Sequence, residues 1–209
     1  SFESDDHDHP SFYVASDGRL TAFYSKHALP GTYTHHRTTL QAWDVTSWLG
    51  ECLTGVNTVG SAGATYANPV TVPGKTDTVY LFWRGANWNP NYSVGRYHPT
   101  KTYWTWSPAA TLIMTPAGRP YVKYTSWGTE YVVLAFTNGH PSESDAKLYF
   151  SLFGFARTGD EAYFRTDGSL IKLASDGPLV PEEADIVYNG AQSPPDPFTE
   201  AWVWDVAVS

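Results

Sequence analysis

Residues 119–141, RPYVKYTSWGTEYVVLAFTNGHP, constrain the fold more than any other stretch of the chain. Two runs rich in Val, Tyr and Phe flank Ser126-Trp127-Gly128-Thr129, so the segment reads as strand, tight turn, strand, polar loop. Arg119 stands where the first strand begins and His140 where the second has ended. Antiparallel pairing brings both to one edge of the sheet. From Tyr131 to Phe136 the chain is apolar on both faces, as a strand covered on both sides requires.

The same unit recurs along the chain. Ser11 to Ala15 and Leu20 to Ser25 flank Ser16-Asp17-Gly18-Arg19, a strong hairpin signal. Asn68 to Val72 and Thr78 to Arg84 flank Pro73 to Asp77. Further strands follow each pair: Thr34 to Leu40, then Tyr92 to Tyr97 and Thr102 to Trp106, then Lys147 to Gly154 and Ala162 to Thr166. Asp167-Gly168 turns into one more, Leu170 to Leu173. Ala42 to Leu49 is expected as a short helix or outer strand, and Ser175 to Pro197 as a long loop.

A spacing of roughly 50–60 residues belongs to propellers and related arrays. Four strands per repeat suit a propeller blade better than a sandwich or jelly roll. The expected fold is therefore all-β: a β-propeller of four-stranded antiparallel blades in one partial domain, 1–209. The repeats lie near 10–60, 65–115 and 119–174, with another beginning at 200–209. Three to four blades fall short of a closed ring, so the expectation is an interior portion of a longer propeller.

Composition narrows the partners. Aromatic residues make up 16 % of the chain, with nine Trp, and charged residues only 16 %, which suits rings packed between sheets or stacked on sugars. A net charge of −8 argues against nucleic acid, which needs a basic face. It also requires that any cations meeting an anionic substrate be gathered in one cleft. The single cysteine, Cys52, excludes an internal disulfide. No apolar run reaches membrane-span length. The chain begins Ser-Phe-Glu with no signal peptide in view, so an upstream segment is expected.

The groups able to do chemistry lie at strand ends. Asp5-Asp6-His7-Asp8-His9 precedes the first strand, His27 follows its partner, Arg84 ends the second pair, and Arg119 and His140 bracket the third. Alternating Asp and His suit a structural divalent metal, but the run lacks the spacing of a zinc or calcium motif. His35-His36 reads as structural. Tyr103 alternates away from Trp104 and Trp106, and Tyr92 and Tyr97 compete with it as a functional tyrosine. A phenol near pKa 10 becomes a base only with cations close by. His, Tyr and Arg without a carboxylate pair favour proton abstraction over ordinary glycoside hydrolysis. β-Elimination on a uronic acid fits: Arg119 and a His neutralise the carboxylate, and Tyr or His takes the acidified C5 proton.

At these residues the chain resembles propeller proteins with BNR-type repeats, including the ulvan lyases. The resembling segments are Asp5-Asp6-His7 with Pro10, Asp17-Gly18-Arg19 with Tyr24 and His27, Tyr66 to Pro69, Leu81 to Pro90, Arg119 to Tyr124, and Ala135 to Pro141. The resemblance implies a seven-bladed parent and a lyase that uses two His, a Tyr and an Arg. It assigns His7 and His27 as the histidines and Arg119 as the arginine. Tyr103 is the matched tyrosine, with Tyr92 second. The Asp-box pattern is absent from His98 to Trp106.

The reading is a secreted, periplasmic or cell-surface polysaccharide lyase acting on an ulvan-like rhamnose–uronate polymer. Its expected catalytic residues are His7, His27, Tyr103 and Arg119, and Arg84, Trp88, Tyr92 and His140 are expected to bind substrate. It is expected to work as a monomer, with no membrane or nucleic-acid partner and no catalytic cofactor. The alternatives are a rhamnose–glucuronate lyase or α-L-rhamnosidase on the same scaffold, or a non-catalytic carbohydrate-binding propeller that uses the loop from Trp83 to Trp88.

Overall fold

The computed structural model describes residues 9–25, 33–54, 63–72, 74–85, 88–116, 119–140, 147–190, 203 and 205–207. These are strand, turn and loop almost throughout, with short 3-10 turns such as Ala174–Asp176 and Pro181–Glu183. The chain divides into two compact units. One holds Ser1–Asn87 and Asn91–Ala110, the other Trp88–Pro90 and Thr111–Ser209.

The first unit contains two antiparallel sheets. In one, β1 (Ser11–Val14), β2 (Leu20–Tyr24), β3 (His35–Thr38) and β4 (Cys52–Leu53) pair in chain order. In the other, β5 (Thr65–Thr71), β6 (Thr78–Arg84), β7 (Pro90–His98) and β8 (Tyr103–Trp106) do the same, and β9 (Ala110–Thr111) adds to β7. The β1–β2 hairpin closes on Gly18 at φ 79°, a conformation glycine adopts without strain, and the Arg19 amide donates to Asp17 Oδ1 at 3.0 Å. Strand β6, TVYLFWR, is buried at every position, as its unbroken apolar run requires.

The core of this unit is aromatic. Phe23 is completely buried, with Trp104 edge-on at 5.4 Å and Trp106 edge-on at 5.8 Å. Tyr97 meets Trp104 at 5.3 Å. Each such pair contributes about 0.5–1.5 kcal/mol beyond its area burial. The turns of both sheets meet at one edge: Asp77 accepts the Ser16 amide at 2.7 Å and the Ser16 hydroxyl, and its own carbonyl accepts the Tyr97 amide at 2.8 Å. The opposite edge carries the start of β1, the end of β2, the start of β5 and the end of β6.

The second unit holds β10 (Val122–Trp127), β11 (Tyr131–Thr137), β12 (Lys147–Phe155), β13 (Glu161–Phe164) and β14 (Leu170–Leu173) in order, with β15 (Asp185–Asn189) paired to β12. Its core joins Val133, Leu152, Ala162 and Phe164. Strand β12 is shared along its length: Leu152–Phe155 pair with β13 and Lys147–Phe150 with β15.

Five expectations change. The second and third sheets exceed four strands, at five and six. The stretch read as a long loop contains β15, because half of β12 is left for a distant partner. Ala42 to Leu49 forms turns, with a bridge between Thr39 and Trp48. The first strand of the third sheet starts at Val122, since Arg119 lies at φ 59° and Pro120 has no N–H to give a ladder. Of the expected strand at the C-terminal end, the described residues 203 and 205–207 form none.

Candidate functional site

The edge of the first unit that carries the end of β6 holds a residue with left-handed backbone beside a cation. Between the pairs Thr65↔Arg84 and Asn68↔Phe82, Tyr66 and Ala67 oppose Trp83 alone, which is a β-bulge. Tyr66 takes φ 59° there, an outlier for a bulky side chain, and Asn68 Nδ2 donates to its carbonyl at 2.6 Å. Such strain costs on the order of 1–3 kcal/mol and persists where the surroundings over-determine it. The Arg84 guanidinium lies over the Tyr66 ring, 4.8 Å from its centroid. Arg84 is only 6 % exposed, so its charge acts through a medium less polar than water on the phenol and on any anion that reaches it.

Tyr66 was not singled out from the sequence as a catalytic candidate. Its signal was Asn68-Pro69 inside a strand run, since proline in a strand marks an edge or a bulge.

The other sequence candidates are distributed as follows. His7 and His27 lie outside the described residues, as do Asp5 to Asp8 of the acidic run. Tyr92 is 5 % exposed, with its ring against Tyr80 at 5.9 Å and Phe82 at 6.3 Å. Tyr103 is 42 % exposed and stacks on His98 at 4.5 Å, but at the edge marked by Asp77. From Thr78 to Arg84 the sheet extends roughly 20 Å at ~3.3 Å per residue. Tyr103 and Arg84 are therefore not brought together. Successive antiparallel strands reverse direction, so counting strands from Arg84 to Tyr103 already implies opposite edges.

In the second unit, the Arg119 guanidinium lies over the Trp88 ring at 5.4 Å, and both residues have left-handed backbone, φ 59° and φ 63°. His140 meets Tyr121 edge-on at 5.6 Å. The Thr137 hydroxyl accepts the Tyr121 amide at 2.9 Å and donates to the Gly139 carbonyl at 2.6 Å, fixing the loop that carries His140. Pairing of Val122 with Phe136 leaves Arg119 and His140 beyond the same end of this hairpin. Trp83, which opened the proposed stacking loop, is a core residue of the first unit. Among the described residues no three His, Cys, Asp or Glu converge to hold a metal.

A family model described as a BNR repeat-containing family member matches residues 1–197. No curated protein matches the chain. Two solved structures of a "new family of Polysaccharide lyase PL25-Ulvanlyase" share its fold. One is bound to -[GlcA(1-4)Rha3S]- and matches with a TM-score of 0.64 at 14 % identity. The other matches with a TM-score of 0.64 at 15 % identity. Each match covers 88 % of this chain and 46 % of the solved one, so the chain spans about half the length of the structures it matches.

Proposed function

Because the chain belongs to the BNR repeat-containing family, we propose that it acts in a polysaccharide lyase cleaving an ulvan-like rhamnose–uronate polymer by β-elimination. The observation that carries this reading is the Arg84 guanidinium over the bulged Tyr66. On this proposal the three sheets are blades of a seven-bladed β-propeller, and the site lies on the edge that carries Tyr66 and Arg84.

Arg84 faces the uronate carboxylate and stabilises the negative charge that develops as C5 loses its proton. Tyr66, acting as the phenolate, takes that proton. The C5–H electrons form the C4=C5 double bond, the bond from C4 to the glycosidic oxygen breaks, and the proton on Tyr66 passes to the leaving oxygen. His7 and His27 are proposed as further donors to the carboxylate. Strand β1 begins and β2 ends on the edge that holds Tyr66, which supports that role. Arg119 over Trp88, with His140, is proposed to bind sugars of the anionic chain. The protein is proposed to work outside the cell as a monomer, without a catalytic cofactor.

The test is a panel of uronate polysaccharides assayed for unsaturated products that absorb in the ultraviolet. Tyr66→Phe is expected to lower kcat by about 10²–10⁴-fold. Full activity in Tyr66→Phe would remove that residue from the chemistry. If activity is lost in Tyr103→Phe instead, the proton-transfer role passes to Tyr103. Release of rhamnose without unsaturation identifies an α-L-rhamnosidase.

A further inference from the structure

A cleft of about 250 Å³ opens in the first unit between the outer strands of its two sheets, and neither Tyr66 nor Arg84 lines it. Strands β3 and β4 supply His36, Thr38, Cys52 and Leu53, and the chain entering β8 supplies Thr102, Tyr103 and Trp104. The nearly buried His36 and Trp104 form its floor, and the exposed Tyr103, Cys52 and Leu53 its rim.

Three observations indicate a binding site. Tyr103 is stacked on His98 with an interplanar angle of 14°, so its exposed ring is held as part of a two-ring platform. Thr102, immediately before it, holds φ 55°, a strained conformation for a β-branched residue. His36 is 7 % exposed and lines the cleft, and its buried Nδ1 has no hydrogen-bond partner among the described residues. A polar ring held that deeply without a partner is unusual in a folded protein.

The lining also selects the ligand. It contains no Lys, Arg, Asp or Glu. Burial, and then the neighbouring His35, push the His36 pKa down to about 4, so its ring is uncharged at neutral pH. Nothing in the cleft compensates a carboxylate or sulfate, and taking such an anion out of water uncompensated is unfavourable. The cleft lies below the roughly 300–1,000 Å³ of pockets for drug-sized ligands, so it takes one ring. An exposed aromatic with a few hydroxyl and imidazole groups suits a pyranose, which offers an apolar C–H face and hydroxyl donors.

We infer that the cleft bounded by His36, Cys52 and Tyr103 binds a single uncharged pyranose, as a sugar subsite separate from the Tyr66–Arg84 edge. This subsite does not depend on the lyase reading: a protein without elimination activity would still have it.

Cys52 gives a direct probe, because it is the only cysteine in the chain and lies at the rim. The rate of its alkylation by monobromobimane is measured against rising methyl α-L-rhamnopyranoside, methyl β-D-xylopyranoside and D-glucuronate. The neutral glycosides are expected to slow labelling saturably and glucuronate to leave it unchanged. Tyr103→Ala is expected to raise the half-protecting concentration by about tenfold, the loss of one ring-stacking contact, and Tyr103→Phe to retain protection. No protection by either neutral glycoside, equal protection by glucuronate, or undiminished protection in Tyr103→Ala would each overturn the inference.

Discussion

His36 makes the first unit sensitive to acid. Its ring is neutral when folded, with a pKa of about 4 against an ordinary 6.5, because it is buried and His35 is adjacent. Below pH 6.5 the unfolded chain takes up a proton that the folded protein refuses, so stability is full above that pH. It falls as pH drops from 6.5 to 4, by on the order of 3 kcal/mol. His36→Gln, which cannot titrate, is expected to flatten that pH dependence in urea melts at pH 7 and pH 4.5. An equal slope in both proteins would reject His36 as the source. Thr102 offers a second test at this scale. At φ 55°, Thr102→Gly should raise stability by about 1 kcal/mol, read as a higher denaturant midpoint.

Among elements, one device appears twice: a Ser/Thr-Asp-Gly turn clamped by a distant carboxylate. Ser16 gives its amide and hydroxyl to Asp77, and Thr166 gives the same two groups to Asp185 at 2.7 and 2.8 Å. Asp77 is buried and also accepts from Tyr13, whose hydroxyl is pushed up to about 12 by burial and by that carboxylate. Asp77→Ala is expected to cost about 1–3 kcal/mol, since it orphans the Ser16 amide. Asp185 is more exposed and the effect there should be smaller. The Thr166 amide and Arg165 hold its carboxyl below its usual range, so its contribution is present at neutral pH and fades as acid protonates it. Urea unfolding of the two variants ranks them, and an Asp185→Ala loss exceeding that of Asp77→Ala would contradict the burial argument. Gly154 tests β12 directly. A Cβ there would strike the Glu130 carbonyl oxygen, which is backbone and cannot swing aside, so Gly154→Ala should destabilise by about 1–3 kcal/mol.

For the whole molecule, the function proposed above places a uronate carboxylate against Arg84, whose guanidinium lies over the Tyr66 ring. Arg84→Lys keeps the charge but loses the planar fork that both covers the ring and can meet a carboxylate with two bonds. It is expected to lower kcat/KM on uronate polymers by at least about tenfold, with the unfolding midpoint nearly unchanged, measured by ultraviolet product release beside a thermal melt. Equal activity in the two proteins would separate Arg84 from the substrate. A net charge of −8 does not oppose such a substrate if cations are concentrated where the polymer binds.

The sequence by itself determined the three hairpins and most of the strands, though not β4, β9 or β15. Asp17-Gly18 and Asp167-Gly168 specify their turns through local backbone chemistry, and the unbroken apolar run of β6 specifies burial on both faces. It also placed Arg119 and His140 at one end of their hairpin, because two paired strands and a short turn leave no other arrangement. Tertiary structure decided what depends on residues distant in the chain. Asp77 became a clamp for a turn 61 positions away, and β15 formed only because β12 had an unpaired half. The bulge at Tyr66 likewise depends on its register against β6, which turned a tyrosine of ordinary local sequence into the ring beneath Arg84. Local patterning sets which face of a strand a side chain occupies. Only packing and pairing register set which distant groups it meets.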